Sequence, residues 1–245
     1  MKRLLWTLLA TVLVAGLLLS GCGGGTDKIR VATDATWPPF EYVDTDTNAI
    51  VGFDVDLFNA IAKKAGLEVE WINVEWDPLL AGVAQGTYDA AISSITIKES
   101  RKAEMDFSDP YYIAGQIIVV RTDSAIAGAG DLPGKTVGVQ SGTTGDDEVR
   151  EMDGVNVTGY DEIGMAFVAL MNKQVDAVVC DTPVASGYVG KYDTLKTAGE
   201  VLTTEEYGIA MPKGSDELMG KINKALAEVL SEGIIDQLVE KWLVS

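Results

Sequence analysis

Histidine is absent from this 245-residue chain, and cysteine occurs only twice, at Cys22 and Cys180. Without histidine, Ser-His-Asp and Cys-His catalysis in their usual forms are excluded, and the commonest zinc ligand is missing. No metal or other cofactor is expected. Basic residues are scarce, 19 Lys and Arg against 37 Asp and Glu, for a formal net charge of −18. A chain so acidic has no basic face with which to hold nucleic-acid phosphates. It attracts cations over a short range instead. Beyond residue 19 there is no apolar run of the roughly 20 residues that a membrane-spanning helix needs.

The N-terminus reads as an export signal. Met1-Lys2-Arg3 is a short basic segment, and residues 4–19 are almost wholly apolar but too short to span a bilayer. Leu19-Ser20-Gly21-Cys22 follows and resembles a bacterial lipobox, in which the cysteine is lipidated and becomes the new N-terminus. Gly23-Gly24-Gly25-Thr26 then supplies a flexible tether. Residues 1–21 are therefore read as a lipoprotein signal peptide, and 22–27 as the lipidated Cys22 with its tether. The expected location is outside the cytoplasm, on the outer face of the cytoplasmic membrane or within a periplasm, held by the lipid alone. Lipidation of Cys22 would leave Cys180 with no partner for an intramolecular disulfide.

Strands and helices alternate along the remainder. Residues 29–32 and 68–73 read as strands, with a helix between them over 54–65 whose apolar residues Val55, Phe58, Ile61, Ala62 and Ala65 recur at helical spacing. Asp77-Pro78 reads as a helix start, Asp at the N-cap and Pro at the first helical position. Further strands are read at 90–92, 116–121, 135–139 and 176–179, a helix at 162–172, and two helices over 216–242 broken near Gly233. This alternation predicts an α/β fold with largely parallel sheets. A weak internal echo accompanies it. Tyr88–Ser94 (YDAAISS) resembles Val175–Asp181 (VDAVVCD), each a short apolar strand entered at an Asp and left through polar residues. Two such lobes would face each other across a cleft, with ligands held outside the carboxyl ends of the strands.

The polar strand ends carry the chemistry. Ser93, Ser94 and Thr96 close an apolar run, and Arg101 follows five residues after Thr96. Small hydroxyl residues with a guanidinium make a receptor for a carboxylate. Asp181 is an acceptor for an ammonium group. Trp37 and Trp76 are placed to sandwich an aliphatic or cationic side chain, and Asp34 to accept from its polar tip. Gln140 and Thr144 flank the loop Ser141-Gly142-Thr143-Thr144-Gly145, which lacks the Lys of a phosphate-binding loop and is followed by acidic residues. Together these residues describe a site for a zwitterionic amino acid. Each has a plainer role as well: the tryptophans as core, the Gly/Thr loop and Asp181 as helix caps, Gln140 and Arg101 as solvated side chains.

Over almost the whole chain, from about Lys28 to Trp242, these motifs resemble the bacterial extracellular solute-binding proteins of family 3, the polar amino-acid receptors of ABC importers. The segments carrying the resemblance are ATDATWPPFEY, VGFDVDLFNAIAKKAGL, SSITIKESRKAEMDFSDPYY, GKTVGVQSGTTG, VDAVVCDTP and YGIAMPKGSDEL. The resemblance implies a two-lobed periplasmic-binding-protein-like fold of type II with two hinge crossovers. Lobe one would comprise 28–112 plus 206–245, and lobe two 113–205. It also implies roles: Arg101 for the α-carboxylate, Asp181 for the α-ammonium, Trp37 and Trp76 stacked on the ligand side chain, and Asp34 near its tip. Ser93, Ser94 and Thr96 match donor positions, and Gln140 and Thr144 match lobe-two contacts. The implied partners are a free L-amino acid and an ABC permease in the membrane, and a monomer is expected.

Two tryptophans, Asp34 and the absence of a lysine in the site favour a cationic side chain of the arginine, lysine or ornithine type. Glutamine is the second choice; glutamine-type members of the family tend to have Ala-Gly at the Ser-Ser pair and Lys in place of Gln140. The protein is expected not to be an enzyme. The alternative is a cyclohexadienyl dehydratase-like enzyme on the same scaffold, which would need a general acid in the cleft and would bind a dianion.

Overall fold

The computed structural model describes residues 28–244. The signal segment, Cys22 and the glycine tether lie outside the described residues, as does Ser245. Two five-stranded sheets organise the fold. The first runs, edge to edge, Val69–Asn73, Ile29–Thr33, Ala90–Ala91, Ala210–Pro212 and Met105–Phe107. The second runs Asn156–Tyr160, Thr136–Gln140, Ala177–Asp181, Gln116–Arg121 and Leu195–Ala198. A two-stranded antiparallel ribbon joins them, Tyr112–Ala114 against Glu205–Tyr207, with Glu205 opposite Ala114 and Tyr207 opposite Tyr112. Both chain crossings between the lobes therefore lie side by side, which is the geometry of a hinge.

The sheets are mixed, not largely parallel as the strand–helix alternation predicts. Each has two parallel pairings on one side of its central strand and two antiparallel pairings on the other. The reason lies in the crossings. A strand entering a lobe directly from the hinge, as Gln116–Arg121 does, runs against the strands built by helical crossovers within that lobe.

The helices follow from pattern and punctuation. Phe53–Ala65 buries Val55, Leu57, Phe58, Ile61 and Ala62, and ends where Gly66 takes a left-handed conformation and its N–H bonds to the Ala62 carbonyl. Burying a side chain such as Phe58 contributes roughly 1.5–3 kcal/mol. Asp216–Ser231 and Ile234–Trp242 are separated at Gly233, whose φ of 69° a side chain would resist. The helix read as starting at Asp77-Pro78 in fact starts at Trp76 with Glu75 at the N-cap. Proline is tolerated anywhere in a first turn, because the N–H it lacks has no partner there. Among the described residues, no helix is long and apolar enough to cross a membrane.

Candidate functional site

A cleft with about 310 Å³ of atom-free space lies between the two sheets and is lined by all ten residues singled out in the sequence. From the first sheet and its loops come Asp34, Trp37, Trp76, Ser93, Ser94, Thr96 and Arg101; from the second come Gln140, Thr144 and Asp181. Glu41 and Thr143 line it too. The lobes meet around it. Gln140 Nε2 donates to Asp34 Oδ2 at 3.0 Å, and Trp76 Nε1 donates to the Gly142 carbonyl at 3.0 Å. Outside the cavity Lys98 pairs with Asp147.

Arg101 is only 6% exposed although it carries a charge. Its guanidinium lies over the Trp76 ring, 5.0 Å from the centroid, and Nη1 donates to the Thr96 carbonyl at 3.0 Å. Nη2 is buried with no partner in the protein, and so is Ser94 Oγ. Burial pulls the Arg101 pKa down, while the charges of Asp147, Asp181 and Glu205 hold it up. An arginine in such surroundings stays protonated. Two orphaned donors, one of them charged, thus converge on the cavity, and an unpaired buried charge is costly unless an anion completes it.

The serine pair is held from beneath by two carboxyl groups that are fully enclosed. Ser94 sits at φ 50°, an unusual conformation for a non-glycine residue, and its N–H donates to Asp54 Oδ2 at 2.7 Å. The Tyr111 hydroxyl donates to the same oxygen at 2.8 Å. Ser93 Oγ bonds to Glu41 Oε1 at 3.1 Å and accepts from the Asp34 N–H at 3.0 Å. Glu41 Oε2 and Asp54 Oδ1 find no other partners. Burial, then the charge of Asp54, pushes the Glu41 carboxyl well up, and burial pushes Asp54 up to about 7.

From the second sheet, Asp181 is 4% exposed and stands at the N-cap of the helix Thr182–Lys191 without capping it. Instead its Oδ1 accepts from Gln116 Nε2 at 2.9 Å. Burial, then the charge of Glu205, raises Asp181 to about 7, with hydrogen bonding working against them. The Gly/Thr loop does contain a cap: Thr143 Oγ1 accepts from the Asp146 N–H at 3.3 Å and donates to the Gln140 carbonyl at 2.8 Å. Thr144, one residue on, is thereby aimed at the cavity. Gln140 is buried, its Oε1 accepting from the Ile163 N–H at 3.2 Å, and is not solvated.

One detail differs from the reading of Ser93, Ser94 and Thr96 as equal donors. The Thr96 hydroxyl spends its single proton on Glu205 Oε2 at 2.6 Å, so Thr96 Oγ1 faces the cavity only as an acceptor. Glu41, Thr143 and Glu205 were not singled out in the sequence. The one local hint is that a glutamate flanked by Phe40 and Tyr42 sits in an otherwise apolar stretch.

The chain belongs to the bacterial extracellular solute-binding proteins, family 3, matching that family over residues 29–245. Among its relatives is the arginine-binding extracellular protein ArtP of Bacillus subtilis, 35% identical over 251 residues, covering 97% of both chains. Among solved structures, the arginine-, lysine-, histidine-binding protein ArtJ of Geobacillus stearothermophilus is 40% identical with a TM-score of 0.85, covering 89% of this chain and 96% of that one. An ancestral arginine-binding protein bound to glutamine is 44% identical with a TM-score of 0.84, covering 89% and 98%. These likenesses and the mixed α/β architecture make the fold that of the two-lobed periplasmic amino-acid-binding proteins.

Proposed function

We propose that this protein is the receptor of an ABC amino-acid importer and that it binds a cationic L-amino acid, arginine foremost, between its closing lobes. The observation that carries the reading is the pairing of opposite polarities across the cavity. One lobe offers the unpartnered donors Arg101 Nη2 and Ser94 Oγ, and the other offers the buried acceptor Asp181. The carboxylate and ammonium of one α-amino acid, carried on the same carbon, satisfy both at once. Trp37, Trp76 and Asp34 line the same cavity, apolar ring faces with a carboxylate, which suit a guanidinium better than a neutral amide. ArtP and ArtJ are named for arginine and support this choice. The glutamine-bound ancestral protein supports glutamine as the second reading.

Lobe one, 28–112 with 206–245, would hold the carboxylate and lobe two, 113–205, the ammonium. The ligand would then favour the closed form by contacts it makes only there. A membrane permease reads the closed form, and Cys22 carries the lipid that keeps the receptor nearby. An enzymatic role fits poorly, since a dianion would meet Asp34 and Asp181, with the Glu205 charge behind them, and only Arg101 to offset them.

A thermal-shift panel of the mature domain against the common amino acids, ornithine and citrulline tests the reading, because binding to the native state raises the midpoint by mass action. The expected result is the largest rise with arginine, lysine or ornithine. A larger rise with glutamine would replace the specificity, and no response to any amino acid would overturn the function.

A further inference from the structure

Glu205 is a buried carboxylate in the second hinge crossing, and it gathers three hydroxyl groups. Its Oε2 accepts from Thr96 Oγ1 at 2.6 Å and from Thr144 Oγ1 at 2.8 Å, and its Oε1 accepts from Thr203 Oγ1 at 2.9 Å. Thr96 comes from one lobe and Thr144 from the other, so the carboxylate can take both only when the lobes are closed. A carboxylate accepts and does not donate, and a hydroxyl has one proton. The direction of both bonds is therefore fixed. Thr144 Oγ1 also accepts from Gln116 Nε2 at 3.1 Å, and the same amide donates to Asp181 Oδ1 at 2.9 Å. What remains facing the cavity from Thr96, Thr144 and Asp181 is lone pairs only, three acceptors for the three N–H bonds of one ammonium group.

We propose that Glu205 is a positioning residue that sets the hydrogen-bond polarity of this end of the cavity, turning two cavity threonines into acceptors and so selecting a ligand that brings an ammonium group. Glu205 does not line the cavity; it acts through Thr96 and Thr144. The inference rests on the amino-acid reading of the preceding section and deepens it. In the open protein the polarity is undefined, because Thr96 and Thr144 are no longer gathered by one carboxylate. Selection for the ammonium is thus exercised during closure.

The test compares two ligands on three proteins. L-arginine and its desamino analogue 5-guanidinopentanoate are titrated calorimetrically into the full mature domain, E205A and E205Q. In E205A the threonine hydroxyls are free to turn their protons into the cavity. L-arginine should weaken by about tenfold or more, the range expected for losing well-directed bonds to a charged group, while 5-guanidinopentanoate should bind as before or better. E205Q keeps an acceptor oxygen and should fall between wild type and E205A. In a T96V/T144V background, adding E205A should cost little further. Equal weakening of both ligands by E205A and E205Q would assign Glu205 a merely structural part in closure and overturn the proposal. Failure of the wild-type protein to bind any amino acid would overturn the functional reading itself, a distinct outcome. E205Q carries the comparison if E205A does not fold.

Discussion

At the residue scale, what distinguishes this cavity is which polar atoms are already spent. Arg101 gives Nη1 to the Thr96 carbonyl and its face to Trp76, and keeps Nη2 for a ligand. R101A should therefore weaken arginine binding by about 2–5 kcal/mol, the cost of removing one partner of a desolvated charge pair, as read by calorimetry. R101K keeps the charge but loses the planar fork, and should recover only part of that loss. Near-wild-type affinity in R101A would refute the carboxylate role. The types and positions of these residues were legible in the sequence because hydroxyl pairs, a following arginine and a DTP motif are local patterns. Glu41 and Glu205 were not legible. Their importance comes from partners far along the chain, Ser93 and Asp54 for one and Thr96 and Thr144 for the other. The same holds for Trp76, whose ring could be read from the sequence as a stacking surface but whose pairing with Arg101 could not.

At the scale of elements, the internal echo is visible in the fold. Ala90–Ala91 and Ala177–Asp181 are each the central strand of their sheet. Each pairs in parallel with a strand on its sheet's parallel side, Ala90 opposite Val31 and Ala177 opposite Val137. The Asp entering each strand does the same work: Asp89 accepts from the Arg30 N–H at 2.7 Å, and Asp176 from the Thr136 N–H at 2.9 Å. Ser94 and Asp181, aligned by the echo, thus reach the cavity from opposite sides. Strand direction beyond these units was not legible, because it depends on how the hinge delivers the chain to each lobe. The loop after Thr136–Gln140 shows how closely the lobes approach. A side chain at Gly142 would come within 2.7 Å of the Asp77 carboxylate, at a φ of 73° that disfavours one. G142A should lower ligand affinity several-fold through loss of the closed form, beyond its effect on unliganded stability. Small-angle scattering with saturating arginine should show a more extended particle for G142A than for wild type, and identical profiles would contradict this.

For the whole molecule, four buried carboxyl groups give stability an unusual dependence on pH. Asp54 and Asp181 are both raised to about 7, Glu41 is raised well above its ordinary value, and burial raises Asp34 as well. The folded state therefore binds more protons than the unfolded chain over the range between the two sets of pKa values. Stability is fully present below the unfolded carboxyl range and is lost as pH rises through the folded values. Partly exposed carboxylates such as Asp44 and Asp106, lowered by hydrogen bonds, act oppositely at lower pH. Urea unfolding of the unliganded domain should give a higher stability at about pH 5 than at about pH 8. D54N should flatten that slope, and a stability rising over the interval would contradict the assignment. Ligand binding runs the other way. An ammonium group needs ionised Asp181, so arginine affinity should rise with pH and level off above about 7, with proton release on binding below it. Calorimetry in buffers of different ionisation enthalpy reads that release directly.

The most direct test of the central claim, that a zwitterion bridges the two lobes, is a calorimetric titration of the mature domain with L-arginine beside agmatine, which lacks the carboxylate, and 5-guanidinopentanoate, which lacks the ammonium. The account predicts saturable one-to-one binding of L-arginine and much weaker binding of both analogues, since each leaves one set of buried polar groups unpaired. Agmatine or 5-guanidinopentanoate binding as tightly as L-arginine would contradict it.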